Sequence, residues 1–309
     1  MLSVIIPTYN RLEKLKKTIK SAENQTLGKE DFEVIVVDDG STDGTKDFME
    51  NFFAPEGFSL RYYFLEHSGP EKARNLGIEK SQGDIIFFCG DDTILHENLL
   101  EIHKKNHEEK KGIAVLGIAL WDGSEKVTNF MRYLAPAGPQ FHYNTIKDKN
   151  SAGFDHFYTC NISLPKKCLE NEKFDERFCC AFEDIDLGLR LEKKGLKIIF
   201  DPRAKVFHSH RYDEEKFGAR MEGVGRGAVI FFDKYKNDKK ILNRLKRKYA
   251  PFCFFPGVGV FLVLSRFLAK SKLIRLISLK YHWFWLICFH YAKGMSEEIH
   301  PGVKKIWTK

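Results

Sequence analysis

The chain has 309 residues, of which 43% are hydrophobic and 30% charged; this excludes a disordered protein and is enough to fill a core and exceed one compact domain. The opening run MLSVIIP has neither the basic n-region nor the long apolar h-region of a secretory leader, so a cytoplasmic location is expected. Residues 234–309 hold 17 Lys and Arg against 3 Asp and Glu, leaving 33 against 39 for residues 1–233, which suits a tail that meets an anionic surface and an N-terminal part that carries the chemistry.

Leu2 to Ile6 is a compact apolar run closed by Pro7, and Arg11 to Gln25 places Leu12, Leu15, Ile19 and Ala22 at helical spacing. Phe32 to Val37 is almost continuously apolar, as a parallel strand covered on both faces must be. Ser41 or Thr42 is positioned to cap a helix containing Phe48 and Met49. A third strand is predicted over Leu60 to Leu65, a helix over Pro70 to Ser81 with Pro at its start, and a fourth strand over Ile85 to Phe88. This alternation implies right-handed βαβ crossovers: an α/β fold with a mostly parallel central sheet flanked by helices.

Further along, the pattern predicts a polar helix from Leu95 to Lys111 and a strand from Ile113 to Leu120. Residues 121–160 scatter Gly, Pro, Asn and aromatics without a period and read as loops over a cleft. Order returns with a helix over Glu183 to Lys194, a strand over Lys197 to Phe200 and a short strand over Ala204 to Phe207. A domain spanning residues 1–230 is therefore expected, followed by a basic, aromatic helical tail over 231–309. That tail opens with a basic helix bearing Ile241, Leu242 and Leu245, and holds two apolar stretches, Pro251 to Ser265 and Tyr281 to Ala292. Both are shorter than the roughly 20 residues a span requires. With Trp283, Trp285 and interleaved Lys and Arg, they suit elements lying in the headgroup zone. The alternative is a hydrophobic subdomain packed on the core or on a second subunit, which would make a homo-oligomer. The apolar stretches fit lipid better than a nucleic-acid backbone. The seven cysteines, including adjacent Cys179 and Cys180, show no zinc spacing and read as reduced thiols.

Asp91 and Asp92 follow a strand of the buried kind, where open α/β sheets bind ligands. Carboxylates beside a diphosphate repel it unless a divalent cation lies between, and Mg²⁺ or Mn²⁺ takes such oxygens while keeping phosphate ligands. Asp38 and Asp39 also end a strand, with Gly40 behind them allowing close backbone approach, and can accept from a nucleobase or ribose or cap the next helix. Arg74 and Asn75, in the helix after Gly69-Pro70, offer a cation and an amide toward a pyrophosphate. Glu183 and Asp184 open a helix, where acids serve its dipole or act as a base. The H-x-H pair His208 and His210 puts both rings on one strand face, as ligation needs.

Taken together, Pro7-Thr8-Tyr9-Asn10-Arg11, Asp38-Asp39-Gly40-Ser41, Gly69-Pro70 with Ala73-Arg74-Asn75-Leu76-Gly77, Gly90-Asp91-Asp92 and Glu183-Asp184 resemble glycosyltransferase family 2 over roughly residues 1–210. The resemblance implies the GT-A fold and an inverting transferase that uses a nucleotide-diphosphate sugar and a divalent metal. By the same resemblance, Pro7, Tyr9, Arg11, Asp38 and Asp39 belong to the donor site, and Arg74 lies near the phosphates. It further implies Asp92 as metal ligand with Asp91 beside it, His208 near the metal, Asn161 toward donor sugar or acceptor, and Asp184, or else Glu183, as base. The family's D-x-D has Gly90 in its first position here, so ribose contact is lost or moves to Asp91. A glycan or lipid-linked acceptor at the inner membrane face fits the basic tail.

Two rivals share the architecture: a non-catalytic membrane-bound scaffold, which Gly90 keeps open, and a sugar nucleotidyltransferase. The latter wants a Gly-rich basic loop near the N-terminus, which PTYNR does not supply. A dinucleotide-binding dehydrogenase is disfavoured because no G-x-G-x-x-G follows the first strand.

Overall fold

The computed structural model describes residues 1–124, 126–178, 181–243 and 275–298. They group into two compact units: Met1–Glu176 with Asp184–Arg211, and Arg177–Glu183 with the residues from Tyr212 onward. The expected apolar stretch at Pro251 to Ser265 lies outside the described residues, as do Cys179, Cys180 and Cys253.

The first unit is one eight-stranded sheet with helices. In chain order its elements are β1 (Leu2–Thr8), α1 (Leu12–Glu23), β2 (Phe32–Asp38), α2 (Thr45–Glu50), β3 (Leu60–Phe64), α3 (Pro70–Lys80), β4 (Ile85–Cys89), β5 (Thr93–Leu95), α4 (Leu99–Glu109), β6 (Ile113–Trp121), α5 (Asn129–Leu134), β7 (Asn161–Pro165), α6 (Glu183–Lys193) and β8 (Lys197–His208). The strand order is β3-β2-β1-β4-β7-β6-β8-β5. The first three neighbouring pairs are parallel, β7 runs antiparallel to both β4 and β6, and β6 and β8 are again parallel. Reversing direction twice through β7 returns β6 and β8 to the sense of β4. The C-terminal ends of β1, β2, β4 and β8 therefore share one edge, which is where the site forms.

The core explains why these segments are strands. Leu2, Val4, Ile5, Ile6 and Val34 through Val37 are fully buried, as parallel strands sandwiched by helices require. Leu15, Thr18, Ile19 and Ala22 turn one face of α1 inward at helical spacing. Phe87 and Phe88 fill both sides of β4, each worth about 1.5–3 kcal/mol on burial.

Four sequence expectations are corrected. The helix expected from Leu95 starts at Leu99, because Thr93–Leu95 instead pairs antiparallel with the end of β8, and Leu95 N donates to Ser21 Oγ. The two strands expected over 197–207 are one, and its irregularity around Pro202 is absorbed by a register shift opposite Leu116 and Ile118 of β6. The stretch 121–160 is not all loop: Asn129–Leu134 is helical, with the Thr128 side chain accepting from Met131 N. Neither Ser41 nor Thr42 caps α2; it begins after Gly44, where Asp43 Oδ1 accepts from Thr45 N and Oγ1.

In the second unit α7 (Glu214–Lys234) and α8 (Arg275–Glu298) pack side by side. Asp213 caps α7 by accepting from Lys216 N. A Cβ on Gly294 would lie 1.9 Å from Glu222 O, so glycine here lets the two backbones touch. The basic helix expected from Lys234 does not start there: Lys234 ends α7, 235–238 form a turn, and 239–243 are helical with Ile241 and Leu242 buried, while Leu245 lies outside the described residues.

Candidate active site

The site grows from the loop after β1. Asn10, at φ 52, sits in the left-handed region, which its short amide tolerates. Its N–H donates to Ser41 Oγ, its Oδ1 accepts from Thr42 N, and Leu12 N donates to Asp43 Oδ2. PTYNR and DDGSTD are thus laced into one surface above β1 and β2.

Asp38 and Asp39 are buried and their carboxylates already serve this scaffold. Asp38 accepts from Ser41 N and Tyr62 Oη; Asp39 accepts from Ser68 N at 2.8 Å and Gly69 N at 2.9 Å, closing the loop that enters α3. Gly40, at φ 84, is needed there, since a Cβ would stand 2.8 Å from His67 N. His67 Nδ1 lies 2.8 Å from Asp39 Oδ2, and its ring stacks on exposed Tyr9 with centroids 4.1 Å apart. Pro7, half-buried on β1, pairs in register with Val37.

One strand over, Asp91 and Asp92 stand beyond β4 and form the centre of a charged cluster. Arg11 Nη1 lies 3.1 Å from both Asp91 Oδ1 and Asp92 Oδ2, bridging the two carboxylates. Thr8 Oγ1 donates to Asp91 Oδ2, and Thr18 Oγ1 to the Asp91 carbonyl, so β1 and α1 hold this loop. From the end of β8, His208 Nδ1 approaches Asp92 Oδ1 at 3.5 Å. Burial and the Asp92 charge raise Asp91 to about 6 against the pull of Arg11 and Thr8. For Asp92, burial is outweighed by His208 and Arg11, which hold it well below the usual carboxylate range. Burial likewise opposes the His208 imidazolium, yet Asp92 and Cys160 lift it to about 10. His210 is pushed down to about 4 by burial and by Lys14, whose Nζ lies 3.0 Å from His210 Nδ1; a neutral ring accepting from Lys14 makes the 3.6 Å approach to Asp92 no ion pair.

Glu183 and Asp184 form the first turn of α6, both half-buried, and Asp184 Oδ1 accepts from Ile185 N. The residue before them, Phe182, has φ 71, strained for a bulky side chain and typical of backbone held for a purpose.

Arg74 and Asn75 bind a neighbouring segment: the Arg74 guanidinium lies 5.4 Å from the Phe174 ring centroid, and the Asn75 amide pairs with Phe174 N and O. Asn161 is fully enclosed at the start of β7. Its Nδ2 donates to Ile118 O and Ala204 O, and its Oδ1 lies 3.0 Å from His103 Nε2, so it ties β6, β7 and β8 together. Sequence reading missed Thr8 and His67: Thr8 lies inside a motif read for its neighbours, and nothing local marks a histidine that stacks on Tyr9.

Asp91, Asp92 and His208 offer the hard oxygen and imidazole donors that suit Mg²⁺ or Mn²⁺. Arg11 already places positive charge between both carboxylates, the role a cation would take. Among the described residues no three His, Cys, Asp or Glu form a ready cage, so a metal here would draw remaining ligands from a bound phosphate and from water.

Comparison with known proteins agrees with this layout. The family described as Glycosyl transferase family 2 matches residues 3–165. An uncharacterized glycosyltransferase of Bacillus subtilis, YfnE, is 38% identical over 287 residues, covering 77% of this chain and 71% of that protein. A GalNAc(5)-diNAcBac-PP-undecaprenol beta-1,3-glucosyltransferase of Campylobacter jejuni is 32% identical, covering 71% of this chain and 68% of its own length. Other relatives are much longer: the chain spans 16% of an uncharacterized glycosyltransferase of Rickettsia bellii, which it matches at 41% identity over 112 residues. Among solved structures, the mannosyltransferase PcManGT of Pyrobaculum calidifontis, in complex with GDP-Man and Mn²⁺, superposes with TM-score 0.63 at 17% identity, covering 100% of this chain and 87% of that one. The likeness shows a shared GT-A fold.

Proposed function

Since the chain belongs to glycosyltransferase family 2 and is a sugar-transferring enzyme, we propose that it moves a sugar from a nucleotide-diphosphate donor to a hydroxyl acceptor with inversion, in one direct displacement. The carrying observation is the cluster in which Arg11, Asp91, Asp92 and His208 meet at the edge shared by β1, β4 and β8. Tyr9 offers an exposed ring on which a base stacks, and the loops around Asp38 and Asp39 line that side. A divalent cation held by Asp92, with Asp91 and His208 beside it, would supply positive charge against the departing diphosphate. Asp184, with Glu183 as the second choice, takes the proton of the acceptor hydroxyl; no carboxylate nucleophile is required.

Residues 1–230 would carry this reaction and 231–309 would serve attachment. The relative from Campylobacter, named for an undecaprenol-diphosphate substrate, supports a lipid-linked acceptor. No helix among the described residues is long and apolar enough to cross a membrane, and the basic tail supports a peripheral position at the inner face. Incubation with a panel of nucleotide sugars, Mn²⁺ and lipid-linked acceptors, with the product read by NMR, tests the reading. An anomeric configuration opposite to the donor's is expected; retention would reject direct displacement.

A further inference from the structure

We propose that the outer face of α8 seats the protein on an anionic lipid surface through Tyr281 and Phe289. This rests on the peripheral reading above and names the surface that performs it. The inner face of α8 is already covered: Trp283, Ile287, Cys288, Tyr291 and Met295 are buried. Polar pins fix the helix against rotation, with Trp283 Nε1 donating to Glu214 and His290 Nδ1 lying 2.7 Å from Glu222.

On the opposite side the aromatic character continues. Tyr281 is 61% exposed and Phe289 38%. A spacing of eight residues, about two turns, puts both rings on one side of the helix. Large exposed aromatic rings on a helix whose other face is already packed mark a contact surface. Ring systems with a polar edge, such as Tyr and Trp, prefer the boundary between headgroups and acyl chains.

Charge chooses the occupant. Lys280 is exposed on the same helix, Lys293 is paired with Glu222 Oε1 at 3.0 Å, and residues 234–309 carry 17 Lys and Arg against 3 Asp and Glu. Two copies meeting through these rings would bring two strongly basic tails together, which is unfavourable; an anionic bilayer relieves the same charge and covers the same rings.

The test is flotation with vesicles of phosphatidylcholine, with and without phosphatidylglycerol, comparing the full chain with a Tyr281→Ser, Phe289→Ser double variant. The full chain is expected to float with the anionic vesicles, with added salt weakening it, and the double variant to partition roughly tenfold or more less strongly. Circular dichroism and nucleotide binding should stay unchanged in the variant, which separates lost docking from lost folding. If the full chain floats with neither vesicle, the peripheral reading falls and this surface with it. If the variant floats as well as the full chain, the peripheral reading stands and the surface is wrongly assigned. If the variant instead dissociates a dimer seen by sedimentation, this face is a subunit interface and the proposal is overturned.

Discussion

Two clusters of titratable side chains lie in the same sheet unit, and they differ in kind. At the rim, Arg11, Asp92 and His208 are held as charges: Asp92 is kept ionised, His208 is lifted to about 10, and Arg11, 43% exposed at its side chain, reaches solvent. Behind the strands, His103 Nδ1 and His107 Nε2 both lie 2.7 Å from Ser163 Oγ, and His103 Nε2 meets Asn161. Burial drives these rings the other way, His103 to about 3 and His107 to about 4, so both stay neutral. A serine between two histidines would suggest nucleophilic chemistry in a sequence motif, yet His103, Ser163 and Asn161 are completely enclosed. Charge kept at an open edge marks a site, whereas neutral polar groups paired off in the interior mark structure.

Substitutions should separate the two. Asp92→Ala is expected to abolish the metal-dependent part of donor binding, measured by calorimetry with and without Mn²⁺; unchanged metal enhancement would remove Asp92 from the site. Asp184→Asn should leave donor affinity intact and lower kcat by roughly 10²–10⁴-fold, the usual span for a lost general base. Full turnover would pass the role to Glu183 or elsewhere. His103→Leu should do the reverse, costing about 1–3 kcal/mol in chemical denaturation because Asn161 Oδ1 and Ser163 lose a partner, with nucleotide affinity untouched.

The mildest effect is a pH slope. Both His103 and His107 titrate below the ordinary 6.5 in the folded chain, so the unfolded chain binds protons that the fold refuses. Their contribution is fully present above about 6.5 and is lost as pH falls toward about 4 and then about 3. Thermal midpoints should decline over that window, and His107→Gln should flatten the decline.

Much of the scaffold was legible in the chain because its strands are long and apolar throughout. Leu2 to Ile6, Phe32 to Val37 and Ile85 to Phe88 cannot be exposed, and each became a strand. Thr93–Leu95 was illegible because it is three residues long, and Asn161–Pro165 because its polar positions have partners only in the fold: Ser163 lies between His103 and His107, and the main chain of Asn161 pairs with Cys89. The same holds within the site. Asp91 and Asp92 stood out by following a buried strand, but that Arg11 would bridge them, Thr8 would fasten Asp91 and His67 would cover Tyr9 depends on loops brought together from positions 8–12, 38–43, 67–69 and 91–92. Resemblance placed Asn161 toward donor sugar or acceptor, and in the structure its amide is engaged by the carbonyls of Ile118 and Ala204 on the flanking strands and by His103 of α4.

The most direct test of the rim cluster as a donor site is calorimetric titration of the purified chain with UDP, GDP and dTDP, each with and without Mn²⁺. The account predicts that at least one nucleotide binds and that Mn²⁺ tightens it. Absence of binding by any nucleotide, with the metal present, would contradict it.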